Sequence, residues 1–123
     1  MSVNVLVADD SGTMRKIIIR SLNAVGITSV VEACDGEQAI SLFTPQAIDL
    51  VLTDWNMPKK TGLDVIKAIR AQDANVPTIM VTTESEKGRV VEAIQAGVTD
   101  YLVKPFTPDQ LRAKLEKYVT VPG

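Results

Sequence analysis

Strand-like and helix-like segments alternate five times along this chain, and no other feature restricts its fold as strongly. The strand-like runs, rich in Val, Ile and Leu, lie at 3–8, 28–33, 48–53, 78–83 and 99–103. A segment of helical periodicity follows each run, and no internal repeat or low-complexity stretch interrupts the pattern. This order favours a parallel sheet covered on both faces by helices. We therefore predict a single doubly wound α/β domain over residues 1–123.

The sequence makes specific predictions about the caps, ends or buried faces of three helices. Thr107 is a predicted N-cap, with Pro108 at the first helical position and Gln110 three residues after the cap. A helix over 86–96 is expected to end at Gly97 and to bury Val91 and Ile94. A helix over 13–25 is expected to place one set of apolar side chains on its buried face: Met14, Ile17, Ile18, Leu22 and Val25.

The composition excludes several classes of function. The chain has 13 basic and 15 acidic residues, so its net charge of −2 does not favour nucleic acid or anionic membranes as partners. It has no histidine, which excludes Ser-His-Asp catalysis, His-ligated zinc and a phosphohistidine carrier role. The single Cys34 and the lack of a signal peptide or long apolar segment predict a cytoplasmic protein.

Polar side chains follow four of the five predicted strands. Asp9 and Asp10 end the first, Asp54 ends the third, Thr82 lies near the end of the fourth, and Lys104 follows the fifth. Each residue alone has an ordinary explanation, as a helix cap, a turn residue or a solvated surface group. Together they converge, because parallel strands end at one edge of the sheet, where ligands of such folds bind.

Three clustered carboxylates require a compensating cation. Two like charges about 4 Å apart repel by roughly 4 kcal/mol at an effective dielectric constant of 20, and one lysine offsets only part of this. An oxygen ligand set favours Mg²⁺, or Mn²⁺, over zinc, and Mg²⁺ commonly binds together with a phosphate. Asp54 stands alone at a central strand end and is the better candidate nucleophile, whereas Asp9 and Asp10 suit metal binding.

Four segments of the sequence resemble those of a known family. The segments LVADDSGTMRK, TDWNMPKKTG, VTTE and YLVKPF are similar to those of receiver domains of two-component response regulators, especially the stand-alone chemotaxis type. The similarity covers essentially the whole chain. It implies the flavodoxin-like strand order 2-1-3-4-5, an order for which the chemotaxis regulator is itself a standard example.

The resemblance also implies roles for individual residues. Asp54 is then the phosphoacceptor, Asp10, Asp54 and the Asn56 carbonyl bind Mg²⁺, and Asp9 assists through water. Thr82 and Lys104 contact the phosphoryl group. Other implied features are a cis Lys104–Pro105 bond, a switch formed by Thr82 and Tyr101, dephosphorylation tuned by Asn56 and Glu84, and an output surface that includes Lys87, Val90, Tyr101 and Lys117.

The implied function is a single-domain response regulator that takes a phosphoryl group from a histidine kinase. It then acts by binding a downstream protein, such as the flagellar motor switch, and a monomer is expected. A stand-alone phosphorelay receiver outside chemotaxis and a non-phosphorylated interaction module remain alternatives.

Two enzyme-like or ligand-binding alternatives are less consistent with the residues. A metal-dependent phosphatase of the aspartyl type places its nucleophile on the first strand with an acid two residues later, whereas Asp54 is followed by Asn56. A flavin-binding domain on the same fold needs a neutral loop after the first strand, and Asp9 and Asp10 repel a bare phosphate there.

Overall fold

A computed structural model describes residues 3–44, 47–83 and 88–121, apart from the side chain of Val90. The strands are β1 (Asn4–Ala8), β2 (Ser29–Ala33), β3 (Leu50–Asp54), β4 (Thr78–Thr83) and β5 (Asp100–Lys104). The helices are α1 (Gly12–Ala24), α2 (Gly36–Leu42), α3 (Gly62–Gln72), α4 (Val90–Gln95) and α5 (Pro108–Leu115). The predicted alternation of five strands with five helices is confirmed.

All five strands form one parallel sheet in the order β2-β1-β3-β4-β5. The predicted strand order is therefore confirmed. Strand β3 lies at the centre, and each of its five residues is buried. This follows from its continuous apolar run, since a central strand of a parallel sheet is covered on both faces.

Helices cover both faces of the sheet. On one face, Leu22 of α1 and Leu111 of α5 pack with the alternate strand residues Val5 and Leu52. On the other face, α2, α3 and α4 cover two further apolar clusters, one around Leu6 and Val51 and one around Ile66 and Met80. None of the helices in the described ranges is long and apolar enough to span a bilayer.

Side-chain caps set the starts of several helices, and the cap predicted at Thr107 is confirmed. Thr107 accepts a hydrogen bond from the Gln110 N–H, and the Gln110 side chain accepts one from the Thr107 N–H. Thr61 and Asp64 form the equivalent capping box of α3. Each box satisfies backbone N–H groups that a helix leaves unpaired in its first turn, which defines where the helix begins.

Two predictions about buried faces are wrong. Val91 and Ile94 are 61% and 59% exposed, and α4 instead packs through Ala93, which is fully buried. The small Ala93 side chain permits close approach to the cluster that contains Ile66 and Met80. In α1, Ile17 is 45% exposed. Apolar residues lie on more than one side of both helices, so periodicity alone does not identify the face that packs.

Candidate functional site

The strand ends bring the predicted polar residues to one edge of the sheet. In the register of β3 and β4, Asp54 pairs with Val81, so Thr82 is the next residue along β4. Thr83 in turn pairs with Lys104 at the end of β5. On the other side of β3, Ala8 pairs with Thr53, which places Asp9 beside Asp54. The predicted convergence is therefore present.

Three carboxylates and one ammonium group form the centre of this edge. Asp9, Asp10 and Asp54 each offer an oxygen, and these oxygens lie within 4.8 Å of one another. The Lys104 Nζ lies 3.2 Å from Asp54 Oδ1 and 3.6 Å from Asp9 Oδ2. Asp9 and Asp54 are buried, whereas Asp10 is exposed. The site is thus an acidic cluster with two buried acids and one accessible acid.

The charges in this cluster are not balanced by Lys104 alone. Asp9 Oδ2 is buried and accepts no hydrogen bond from the residues that the structure describes. Burial raises the pKa of the Asp54 carboxyl above its ordinary value, and the charge of Asp9 acts in the same direction, although Lys104 opposes both. A divalent cation with oxygen ligands fits this donor set, since it would bind the oxygen that accepts no hydrogen bond and relieve the repulsion.

Backbone contacts hold the two buried acids in place. Asp9 Oδ1 accepts from the Ser11 N–H at 2.9 Å, and Asp54 Oδ1 accepts from the Trp55 N–H at 2.8 Å. Arg15, which the sequence analysis did not identify, donates to the Asp9 carbonyl oxygen at 2.7 Å and pairs with Glu32. Its position could have suggested this contact, because Arg15 lies at the end of the first turn of α1, and that turn lies next to the end of β1.

Arg89, which directly precedes α4, contacts Trp55 and Asn56 in the segment after β3. The Arg89 guanidinium carbon lies 5.2 Å from the centre of the Trp55 ring, and Arg89 donates to Asn56 Oδ1 at 3.3 Å. Trp55 is buried, whereas Asn56 is exposed. The Thr82 hydroxyl donates to the Thr83 carbonyl oxygen at 3.3 Å. No local pattern pointed to Arg89, because its partners lie more than 30 residues earlier in the chain.

The remaining predicted residues have different outcomes. The Lys104–Pro105 bond is cis, as predicted. Tyr101 is half-buried against the cluster of α3 and α4, and Lys117 is exposed on the α5 side. Glu84 and Lys87 lie outside the described residues, as does the side chain of Val90.

Glycines allow α2 to approach Lys60 closely and α3 to approach Asp54 closely. A Cβ atom on Gly62 would lie 2.2 Å from the carbonyl oxygen of Asp54, and one on Gly36 would lie 1.9 Å from that of Lys60. In addition, the Gly62 N–H donates to the Trp55 carbonyl oxygen at 2.8 Å. The first residue of α3 is therefore packed directly against the backbone that carries Asp54.

A second polar cluster joins β5 to the α5 side. Asp100 accepts hydrogen bonds from the Lys114 ammonium at 3.0 Å, the Tyr118 hydroxyl at 2.7 Å and the Tyr101 N–H at 2.7 Å. Burial opposes ionisation of Asp100, but these bonds outweigh it and lower the pKa of the carboxyl. The same contact raises the pKa of Tyr118 to about 12.

This cluster predicts a change of stability at high pH. Because the pKa of Tyr118 is raised when the chain is folded, its neutral hydroxyl contributes stability that is fully present below its ordinary pKa of 10.0 and is lost as the pH rises through about 12. Chemical denaturation at a series of pH values should show a smaller alkaline loss in Tyr118→Phe. Tyr101→Phe is the matched control and should keep the full loss; equal curves for all three proteins would contradict the assignment.

Comparison with known proteins gives a consistent picture. The family model described as response regulator receiver domain matches residues 5–116. The chain is 43% identical to the chemotaxis protein CheY of Pseudomonas aeruginosa over 117 residues, which covers 94% of each chain. It is 46% identical to a CheY homologue of Campylobacter jejuni, covering 93% of this chain and 90% of the relative. The solved structure of CheY4 from Vibrio cholerae superposes with a TM-score of 0.86 at 33% identity, over 97% of this chain and all of the other.

Proposed function

Because this chain belongs to the response regulator receiver domain family, we propose that Asp54 accepts a phosphoryl group from a histidine kinase and thereby switches a protein-binding surface. The chain is a CheY-like response regulator of chemotaxis two-component signalling. The observation that best supports the role of Asp54 is its position, buried at the end of the central strand beside Lys104 and two further acids.

Phosphoryl transfer requires a nucleophile, a leaving group and charge stabilisation. One Asp54 oxygen forms the new bond to phosphorus while the bond from phosphorus to the kinase imidazole nitrogen breaks, and the imidazole leaves. Lys104, 3.2 Å from Asp54 Oδ1, stabilises the negative charge of the transferring group. The Thr82 hydroxyl donates to the transferred group once it turns from the Thr83 carbonyl oxygen. The product is an acyl phosphate that water later hydrolyses.

The residues at this edge fit a magnesium ion. Asp10, Asp54 and the Asn56 carbonyl would hold it, with Asp9 acting through water. The ion would neutralise charge on the phosphoryl oxygens. Asp9 Oδ2 accepts no hydrogen bond from the described residues, and three carboxylates surround a single ammonium group, which supports this assignment. The pKa of Asp54 is raised mainly by burial and further by the charge of Asp9, which a bound cation would offset.

Trp55 provides a direct test of metal binding. It is the sole tryptophan of the chain, and its backbone N–H donates to Asp54 Oδ1. Titration with Mg²⁺ should therefore change the fluorescence of Trp55, and the change should level off once the site is saturated. Asp10→Asn should weaken Mg²⁺ binding about tenfold or more by removing a ligand. A flat wild-type titration, or an unchanged affinity in the variant, would rule out this metal site.

Labelling by a small phosphodonor tests the function as a whole. Acetyl phosphate with Mg²⁺ should add one phosphoryl group to the protein, detected by intact mass, and a chelator should prevent it. Hydroxylamine should remove the group, since acyl phosphates react with it. Absence of labelling in the presence of Mg²⁺ would contradict the phosphoacceptor proposal and favour an interaction module that is not phosphorylated.

The proposed output surface is formed by α4, β5 and α5. Val91 and Ile94 on α4 are 61% and 59% exposed, and Tyr101 and Lys117 lie on the neighbouring elements. Exposed apolar side chains together with the exposed Lys117 suit a partner helix with apolar and acidic residues. We propose the flagellar motor switch as that partner, in line with the chemotaxis relatives.

Glu84 and Asn56 are proposed to set the lifetime of the phosphoryl group.

A further inference from the structure

Lys114 contacts two adjacent residues of the edge strand β5. Its ammonium nitrogen lies 3.0 Å from Asp100 Oδ1 and 5.0 Å from the centre of the Tyr101 ring. An ammonium group at this distance from an aromatic ring is attracted by the ring electrons. One side chain of α5 therefore joins an acid to the proposed switch tyrosine.

The acid that holds Lys114 is itself firmly placed. The Asp100 side chain is 14% exposed and that of Lys114 is 26% exposed, so neither is a freely solvated surface group. The Tyr118 hydroxyl and the Tyr101 N–H donate to the same carboxylate. Charge-assisted hydrogen bonds from several donors restrict the carboxylate, and the carboxylate in turn restricts where the ammonium group of Lys114 lies.

Tyr101 is correspondingly held between two elements. Its ring packs against the cluster that includes Ile66, Met80 and Ala93, while Lys114 contacts the ring from α5. In the same structure the Thr82 hydroxyl donates to the Thr83 carbonyl oxygen. In the proposed switch this bond belongs to the resting state, because the hydroxyl that would donate to a phosphoryl group donates instead to the protein backbone.

We propose that Lys114, anchored by Asp100, is a positioning residue that holds the Tyr101 ring in its resting place and so opposes activation. The inference rests on the proposed function, because it concerns the regulation of the same switch. A contact made in only one of two states shifts their equilibrium by the energy of that contact. An exposed contact between a cation and an aromatic ring corresponds to a shift of about two- to fivefold.

The direction of the effect separates this role from simple electrostatics. Removing a positive charge near an anion site weakens anion binding if the charge acts only through its field. Removing Lys114 should instead tighten the binding of a phosphoryl mimic, because the resting state loses a stabilising contact. Asp100→Asn should act in the same direction, and its effect should not add to that of Lys114→Gln, since both changes disrupt one contact.

The experiment titrates Mg²⁺-loaded protein with beryllium fluoride, a mimic of the phosphoryl group, and follows Trp55 fluorescence. Lys114→Gln should bind about two- to fivefold more tightly than wild type. Lys114→Arg should restore the wild-type affinity, because arginine keeps both the ion pair and the ring contact. Arg112→Gln is the control, since it removes a charge from the same helix, and among the described residues Arg112 forms its ion pair with Glu116 alone.

A spectroscopic signal accompanies the titration. In protein labelled with fluorotyrosine, the Tyr101 resonance of Lys114→Gln should move, without the mimic, towards its mimic-bound position. Tyr118→Phe identifies which resonance belongs to Tyr101. Unchanged or weaker binding in Lys114→Gln, or equal shifts in Arg112→Gln, would overturn the positioning role. Failure of the wild type itself to bind the mimic would instead overturn the proposed function on which that role depends.

Discussion

Asp54→Asn is expected to reduce Mg²⁺-dependent labelling by acetyl phosphate to background. An amide oxygen is a poor nucleophile, and an amide also removes one of the charges that bind the metal. The fold should be retained, because the Trp55 N–H can donate to the amide oxygen as it donates to Asp54 Oδ1. Intact mass after incubation with the phosphodonor measures the effect.

Asp49→Asn is the matched control for this experiment. Asp49 directly precedes β3, whereas Asp54 ends it, and its Oδ2 accepts from the Asn4 N–H at 2.8 Å, a bond that an asparagine oxygen preserves. This variant should be labelled like the wild type. Persistent labelling of Asp54→Asn at the wild-type rate would place the phosphoacceptor elsewhere.

Gly62→Ala is expected to lower both stability and Mg²⁺ affinity. Its Cβ would lie 2.2 Å from the Asp54 carbonyl oxygen and 3.1 Å from the Met80 sulfur, so α3 or the end of β3 must move. Overpacking of this kind costs about 1–3 kcal/mol in the free energy of unfolding. Because the displaced backbone carries Asp54, the metal site should be distorted as well.

Gly88→Ala separates this local effect from the general effect of an added methyl group. A Cβ at Gly88 meets no atom of the described residues within 4 Å. Urea unfolding and the Trp55 titration with Mg²⁺ should give wild-type values for this control. If Gly62→Ala matched the control in both measurements, the close approach of α3 to Asp54 would have no energetic consequence.

The site residues could be predicted because they follow directly from strands that the sequence marks clearly. Asp54 ends a run of apolar residues, and Lys104 stands at the end of β5 beside a proline. Parallel pairing then requires the ends to share an edge. The Mg²⁺ and phosphoryl roles assigned to these residues remain predictions.

Other parts of the structure had no local signal. Arg89 reaches Asn56 across 33 residues, and Lys114 reaches Asp100 across 14. Neither contact has a spacing that distinguishes it from a solvated arginine or lysine. The buried face of α4 was predicted wrongly for a related reason: Ala93, and not the larger Val91 and Ile94, packs in the cluster with Ile66 and Met80, and the sequence of α4 alone does not show which face meets that cluster.

The sequence by itself determined the alternation of strands and helices, the helix caps and the set of acids at the strand ends. These features depend on period, on residue type and on neighbours a few positions away. Only the tertiary structure decided how the acids are compensated: Lys104 lies between Asp9 and Asp54, and Asp9 Oδ2 still accepts no hydrogen bond from the described residues. It also decided that Lys114 lies against Tyr101. Such distances depend on how distant segments pack, and residue order alone does not specify them.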